Sequence, residues 1–222
     1  MTELLKWEAL LDTKHTKAEE LFEKVFYPWE VLPLINEFVV KLGDQLDEQE
    51  FLKTGEDIWI SKTAKVAQSA SLTGPLIVGH NAQIRHCAYI RGGVLIGDDV
   101  VVGNSCEIKN SILFDKVQVP HYNYIGDSVL GYKAHFGAGA ITSNLKSDHS
   151  LVTVNIEQQK VKTDLIKFGA IVGDNAEIGC NSVLNPGTII GRGSNIYPLS
   201  SVRGYVTPNS IYKSAQEIVE KI

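Results

Sequence analysis

A six-residue repeat of aliphatic side chains constrains the fold of this chain more than any other feature. Every sixth residue from Ile60 to Ile108 is Val, Leu or Ile, and the pattern resumes from Val172 to Val202. The full set is Ile60, Val66, Leu72, Val78, Ile84, Ile90, Ile96, Val102 and Ile108, then Val172, Ile178, Leu184, Ile190, Ile196 and Val202. Chance would give nine in succession only about once in 100,000 starting points, so the repeat has a structural cause.

A period of six fits neither an α-helix, with its 3.6-residue turn, nor a strand with alternating side chains. It fits a three-sided coil in which three short strands and three turns form one rung. Asn, Asp and Gly are frequent at the intervening positions, where tight turns require positive φ. The sequence therefore predicts a mainly β fold, a parallel β-helix of hexapeptide repeats. Because hexapeptide solenoids wind left-handed, we expect a left-handed parallel β-helix.

The repeat also divides the chain into segments. Residues 55–205 form the predicted β-helix, with a hairpin insertion at about 145–167, where VTVNI and KVKTD alternate in polarity. Residues 1–54 lack the repeat and are predicted as a helical segment that caps the open first rung or covers a neighbouring surface. Residues 206–222 are predicted as a C-terminal helix with Asn209 as its N-cap.

Two helices are predicted within the N-terminal segment. The first extends from Thr16 to Phe26, and the second begins at Pro28 and ends at about Leu42, before Gly43. Between the two runs of the repeat, Val119, Ile125, Leu130 and Phe136 keep the period with one slipped step.

Composition excludes several classes of function. The formal net charge of −5 argues against broad binding to nucleic acid or to an acidic membrane, and no apolar run is long enough for a membrane span. The cysteines Cys87, Cys106 and Cys180 are scattered without a CxxC motif, which favours a reducing, cytoplasmic compartment. The sequence contains no nucleotide-binding motif, so we expect no synthesis of a nucleotide sugar from a nucleoside triphosphate.

Arg91 and Lys109 are the first candidates for a binding site. Each is next to an inward residue and therefore points outward, and the 18 residues between them correspond to one rung. The two cations should stack about 4.8 Å apart, an arrangement that suits a phosphate group. The alternative is a solvated face on which Glu107 pairs with one of the cations.

His121 is the candidate general base. It follows Pro120 where the repeat slips, and a neutral imidazole can accept a proton from an attacking amine. The alternative is a structural or surface role for this histidine. A zinc site formed by His80, His86, His121 and His135 is disfavoured, because their spacing differs from that of the zinc-binding hexapeptide-repeat carbonic anhydrases. We therefore predict no metal.

The segment HYNYIGDSVLGYKAHFGAGAITSN, residues 121–144, carries a family resemblance. With the flanking residues 90–144 and 168–204, it resembles the acetyltransferase half of bifunctional N-acetylglucosamine-1-phosphate uridyltransferase/glucosamine-1-phosphate acetyltransferase. The same residues resemble the corresponding half of archaeal sugar-1-phosphate nucleotidylyltransferases. The nucleotidyltransferase half of those proteins has no counterpart in this sequence.

The resemblance implies a role for individual residues. His121 falls on the catalytic base, Arg91 and Lys109 on the sugar-phosphate cations, and Tyr124 on a substrate-binding tyrosine. The positions that contact acetyl-CoA in the family fall on Ala138, Asn144 and Cys180. Three departures are His135 where bacterial enzymes have an asparagine at the sugar, Cys180 in place of serine, and Pro198 in place of alanine.

The resemblance therefore implies a cytoplasmic homotrimer that acts in nucleotide-sugar and cell-envelope metabolism. We expect it to acetylate an amino-sugar 1-phosphate with acetyl-CoA, in a cleft between two subunits. Backbone N–H groups of residues 137–139 would stabilise the oxyanion. Tyr89, Val101 and Phe114 are expected to be outward residues that the trimer covers. Two alternatives remain: an acyltransferase acting on a nucleotide-linked amino sugar or with another acyl donor, and a non-catalytic trimeric scaffold that regulates a separate nucleotidyltransferase.

Overall fold

The structure is a computed structural model that describes residues 2–221, most of which form a parallel β-solenoid. Each rung pairs in parallel with the next. The register advances by 18 residues, as between Ile60 and Val78, or by 17, as between Ile96 and Leu113. It advances by 16 in the last rungs and by 42 across the hairpin insertion. The shorter rungs account for the slipped step in the repeat. The predicted mainly β fold of hexapeptide repeats is confirmed.

The strands form three faces, which we call the first, second and third faces in the order that the chain visits them from Lys65–Val66 onward. The first face contains Lys65–Val66, Gln83–Ile84, Val101–Asn104, Gln118–His121, His135–Phe136, Glu177–Ile178, Asn195–Ile196 and Ser210–Ser214. The second contains Ser71–Leu72, Tyr89–Ile90, Ile141–Thr142, Val183–Leu184 and Ser201–Val202. The third contains Ile58–Ser61, Leu76–Val78, Val94–Ile96, Ala170–Val172, Thr188–Ile190 and Tyr205–Val206. Two longer strands, Glu107–Leu113 and Tyr124–Leu130, turn from the second face to the third.

The N-terminal segment covers the third face. It contains the 3-10 helices Thr2–Leu5, Thr13–His15 and Pro28–Leu34 and the α-helices Trp7–Leu10, Glu19–Phe22 and Ile35–Gly43. The rings of Phe22 and Phe114 meet edge to face at 5.6 Å, and those of Trp29 and Phe168 lie 5.9 Å apart. The segment therefore covers a neighbouring surface, and its last residues, in the strand Phe51–Gly55, also pair with the edge of the first rung.

Both predicted N-terminal helices exist in altered form. The first shrinks to the single turn Glu19–Phe22. The second begins at Pro28 as predicted, but its first half is a 3-10 helix, and Pro33 in that half has no N–H for an α-helical hydrogen bond. None of the helices between residues 2 and 221 is both long enough and apolar enough to cross a membrane.

The predicted C-terminal helix is wrong. The strand Ser210–Ser214 continues the first face in parallel with Asn195–Ile196, and Glu217–Glu220 turns back against it. Tyr212, six residues after the inward Val206, is 4% exposed, so the repeat continues through this segment. Asn209 has φ of 52° and occupies a turn between two faces rather than an N-cap.

The predicted hairpin insertion is present. Thr153–Ile156 pairs antiparallel with Gln159–Lys162, and this arm leaves the coil between Ile141–Thr142 and Ala170–Val172. Two further antiparallel strands lie at the ends of the solenoid. Phe51–Gly55 flanks the first strand of the third face, and Glu217–Glu220 flanks the last strand of the first face. Antiparallel strands thus cover one sheet edge at each end of the solenoid, where unpaired backbone groups would otherwise be exposed.

Candidate active site

One edge of the solenoid, between the first and second faces, carries His121. Every rung after the first turns this edge through a residue with positive φ: Cys87, Ser105, Tyr122, Gly139, Asn181 and Leu199. Backbone hydrogen bonds of 2.8 to 3.0 Å then join successive rungs: Gly139 N to His121 O, Asn181 N to Ala138 O, and Leu199 N to Cys180 O. His121, Ala138 and Cys180 therefore occupy one position in three consecutive rungs. We call this row the site edge.

The backbone around His121 is fixed from two sides. Asn123 is 2% exposed, and its Oδ1 accepts a hydrogen bond from the His121 N–H at 3.1 Å. Its Nδ2 donates to the carbonyl oxygens of Gly137 and Ala140 in the next rung, at 2.8 and 3.0 Å. The imidazole of His121 is exposed and has no hydrogen-bond partner within residues 2–221. The turn is held rigid while the ring remains available to a ligand.

The two predicted cations stack on the second face as expected. Ile90 lies opposite Ile108, which places Arg91 beside Lys109 in the next rung. Arg91 Nη1 lies 2.7 Å from Glu107 Oε1, and this hydrogen bond raises the pKa of the guanidinium. Lys109 Nζ lies 3.1 Å from Asp127 Oδ2. Each cation thus has its own carboxylate, including the Glu107 pairing that the solvated-face alternative predicts.

Tyr124 begins the next strand of the second face. A Cβ on Gly126 would lie 2.5 Å from the Tyr124 Oη, so a larger residue there would displace the tyrosine ring that folds over its own strand. Asn144 Nδ2 donates to this hydroxyl at 3.2 Å and also contacts Asp127. Burial raises the pKa of Tyr124, and the carboxylates of Asp127 and Glu107 raise it further, so the phenol stays protonated at neutral pH.

His135 lies apart from this group within the protomer. It is on the first face, one rung beyond Gln118 and therefore about 10 Å along the strand from the site edge. Its Nδ1 lies 2.7 Å from Glu177 Oε2. Both side chains line a groove of about 530 Å³ with Asp99, Lys116, Gln118 and Lys133. The structure therefore brings His121, Ala138 and Cys180 together on one edge, with Arg91, Lys109, Tyr124 and Asn144 on the adjoining face.

Asn123 and Asp127 are the structural residues of this region that sequence reasoning missed. Both belong to the segment NYIGD, but the repeat gives neither of them a role because it concerns inward aliphatic positions. Their side chains point into neighbouring rungs, which only the register of those rungs reveals.

The remaining histidines of the zinc hypothesis do not converge. His80 Nδ1 lies 2.8 Å from Ser61 Oγ, and His86 Nδ1 lies 2.7 Å from Ser69 Oγ. Within the described part of the chain, no three His, Cys, Asp or Glu side chains are close enough to hold a metal ion.

Comparisons with known proteins define the class. Residues 72–166 match the family described as the GMPPB C-terminal domain, and residues 169–204 match the bacterial transferase hexapeptide (six repeats). Together with the three-sided solenoid, these matches show that the chain has the hexapeptide-repeat fold.

The particular relationship is to proteins named "Bifunctional protein GlmU", with which this chain is homologous. The protein of that name from Methanococcus vannielii is 36% identical over 198 residues, which cover 87% of this chain and 47% of the relative. A protein of the same name from Methanococcus maripaludis is 33% identical over 214 residues, which cover 88% of this chain and 48% of the relative. A "Bifunctional sugar-1-phosphate nucleotidylyltransferase/acetyltransferase" from Sulfurisphaera tokodaii is 32% identical over 57% of this chain and 31% of its own length. The chain spans about half the length of the first two relatives.

Proposed function

We propose that this protein transfers the acetyl group of acetyl-CoA to the amine of an amino-sugar 1-phosphate such as glucosamine 1-phosphate. The observation that carries the proposal is the site edge. It aligns His121 with Ala138 and Cys180, beside a face that bears the stacked pair Arg91 and Lys109. The name of the Sulfurisphaera tokodaii relative supports acetyl transfer and a sugar 1-phosphate substrate.

His121 is the proposed general base. The amine nitrogen attacks the thioester carbonyl, a C–N bond forms, and His121 takes a proton from the nitrogen. The C–S bond then breaks and coenzyme A leaves as the thiolate, which is protonated in turn. A positioned base contributes about 10²–10⁴-fold to such a step. An exposed imidazole on a rigid turn suits this role, because the ring can meet a ligand without reorganising the backbone.

Arg91 and Lys109 are proposed to hold the sugar phosphate. Both cations already have carboxylate partners, so the phosphate must compete with Glu107 and Asp127 for them. The Arg91–Glu107 pair is substantially exposed, and exposed pairs contribute little to stability, so its rearrangement costs little. Fixing the phosphate orients the amine toward the thioester, which accelerates the reaction through proximity.

The oxyanion donor is proposed to be the backbone of Ala138. Gly137 N and Gly139 N already donate to Ile178 O and His121 O, at 2.7 and 3.0 Å. Within residues 2–221 the Ala138 N–H has no hydrogen-bond acceptor, so it is the donor of the 137–139 segment that remains free. It lies one rung from His121, on the same edge. A backbone N–H in this position stabilises the negative charge that develops on the thioester oxygen.

We infer that the active protein is a homotrimer in which a partner subunit supplies the second wall of the site. A single solenoid face is nearly flat, whereas a small-molecule site is concave. The third face is occupied by the N-terminal segment, so the first and second faces remain for self-association. His135 is too far from His121 of its own subunit to share one sugar with it, so we propose that the His135 of one subunit contacts the sugar bound beside His121 of another. The three cysteines are free thiols, which supports a cytoplasmic location.

A thiol-release assay tests the proposal. The purified protein is incubated with acetyl-CoA and a panel comprising glucosamine 1-phosphate, its 6-phosphate isomer, free glucosamine and nucleotide-linked amino sugars. We expect free thiol to appear fastest with a 1-phosphate. Turnover only with a nucleotide-linked sugar would favour the second acyltransferase hypothesis. Absence of turnover across the panel, in a folded protein, would contradict acetyl transfer and favour a scaffold.

A further inference from the structure

Asp127 is a buried carboxylate with three donors around it. It is 4% exposed and lies at the corner where the strand Tyr124–Leu130 turns from the second face to the third. Its φ of 48° is in the left-handed region, which Asp tolerates better than most residues. The carboxylate accepts from Lys109 Nζ at 3.1 and 3.3 Å, from Asn110 Nδ2 at 2.9 Å, and from Asn144 Nδ2.

The chemistry of Asp127 determines how Asn144 is oriented. An ionised carboxylate has acceptors only, so the side-chain amide of Asn144 must turn its nitrogen inward. The same nitrogen donates to Tyr124 Oη at 3.2 Å. Within residues 2–221 the oxygen of that amide has no hydrogen-bond partner, and it is not buried. The second face therefore presents an accessible carbonyl oxygen at Asn144.

We propose that Asp127 is a positioning residue: it fixes the amide of Asn144 so that its carbonyl oxygen accepts a hydrogen bond from an N–H group of the coenzyme. The amide groups of the pantetheine arm supply donors of this kind. The inference rests on the proposed function, because the resemblance assigns Asn144 to the acetyl-CoA site. It adds a residue that touches neither substrate and acts through its neighbour.

The substitution Asp127→Asn separates this role from a structural one. An amide at position 127 offers a donor as well as an acceptor, so Asn144 can flip and turn its nitrogen outward. We expect the Kd for coenzyme A to rise roughly three- to tenfold, the value of one neutral hydrogen bond. The same change removes a negative charge beside Lys109. The KM for glucosamine 1-phosphate should therefore fall or stay the same, whereas a general loss of structure would raise both constants.

The exchange Asp127→Asn with Asn144→Asp provides a rescue. It keeps the net charge and the hydrogen bond between the two positions, but the amide at position 127 now donates and the carboxylate at position 144 accepts. That carboxylate also presents an oxygen outward whichever way it is turned. The double variant should bind coenzyme A within about twofold of the wild type, whereas Asn144→Ala should bind as weakly as Asp127→Asn.

Calorimetric titration of coenzyme A measures these affinities without relying on turnover, after each variant has shown a cooperative melting transition. An unchanged Kd for Asp127→Asn, or failure of the double variant to restore binding, would overturn the inference. So would the loss of folding in both variants, since Asp127 would then be structural. If the wild type binds coenzyme A but transfers no acetyl group, the proposed function fails while the inference is still tested; if it binds no coenzyme A, both fail.

Discussion

The second and third faces of the solenoid share one repeat but differ in their outward positions. On the third face the outward side chains form an apolar ladder in register: Trp59, Ile77, Leu95, Ile112, Val129, Ile171, Ile189 and Tyr205. The first seven are no more than 5% exposed, because the N-terminal segment and the hairpin arm cover them. On the second face the corresponding positions carry Tyr89, Arg91, Glu107, Lys109 and Tyr124, all at least partly exposed. The inward repeat therefore builds the solenoid, and the outward residues determine whether a face supports the fold or binds ligands.

The largest expected effect concerns the site edge beside the second face. Replacing His121 by Ala should lower kcat by at least about 10²-fold, since the base is lost while an exposed side chain leaves no cavity. Steady-state acetyl transfer and a melting curve measure the two properties separately. His135→Ala is the matched control, because His135 lies on the first face and should change KM more than kcat. Near-normal turnover without His121 would refute its role as base, and a collapse confined to the His135 variant would move the base there.

A pair of substitutions in one rung compares the two faces directly. Leu95 and Tyr89 are both outward and apolar, but Leu95 is 1% exposed and Tyr89 is 43% exposed. Leu95→Ala should lower the free energy of unfolding by about 2–5 kcal/mol, because it opens a cavity beneath the N-terminal segment. Tyr89→Ala should cost less than about 1 kcal/mol. Urea denaturation monitored by circular dichroism measures both values. Equal costs would mean that the third face is not part of the core.

The cations of the second face give a smaller effect. Arg91→Ala or Lys109→Ala should each raise the KM for the sugar phosphate by the equivalent of about 1.5–3 kcal/mol, the value of a charge-assisted contact. The KM for acetyl-CoA should remain near that of the wild type. Lys116→Ala, on the first-face groove, serves as a control that removes one positive charge elsewhere. If both variants keep the wild-type KM, the stacked cations do not bind the phosphate.

The assembly gives the last and smallest expected effect. Light scattering at micromolar concentration should show a homotrimer, and Tyr89→Ala should increase the fraction of free subunits at low concentration without abolishing the trimer. Phe114 does not belong to this interface, contrary to the sequence-based expectation, because Phe22 of the same chain covers it. A wild-type monomer under these conditions would remove the second wall of the proposed site.

The inward half of this fold could be predicted from the sequence, and much of the outward half could not. The spacing of Ile60, Val78 and Ile96 predicts the rungs, since most inward side chains are aliphatic and fill a narrow core. The apolar ladder of the third face is also present in the sequence, one residue before every third repeat position. Its 18-residue period hides it from a search for a six-residue repeat. The C-terminal helix is predicted by local propensity, which the pairing of Ile211 with Asn195 overrides.

The site could be predicted only in part, because the repeat spacing gives the register of the rungs but not the contacts of the side chains at their corners. The register of one rung follows from spacing, so the stacking of Arg91 and Lys109 was foreseeable. The partners of these cations were not, because Asp127 reaches Lys109 through a corner with positive φ that periodicity does not reveal. The separation of His135 from His121 within one protomer likewise depends on where each strand ends.

The most direct test of the account is a crystal structure of the protein with coenzyme A and the sugar phosphate bound. We predict that the coenzyme thiol lies near His121 at the site edge and that its pantetheine arm crosses the second face to contact Asn144. The phosphate should contact Arg91 and Lys109 on the second face. Coenzyme in the first-face groove around Lys116 and His135, or phosphate away from both cations, would contradict the claim that the second face and its edge form the active site.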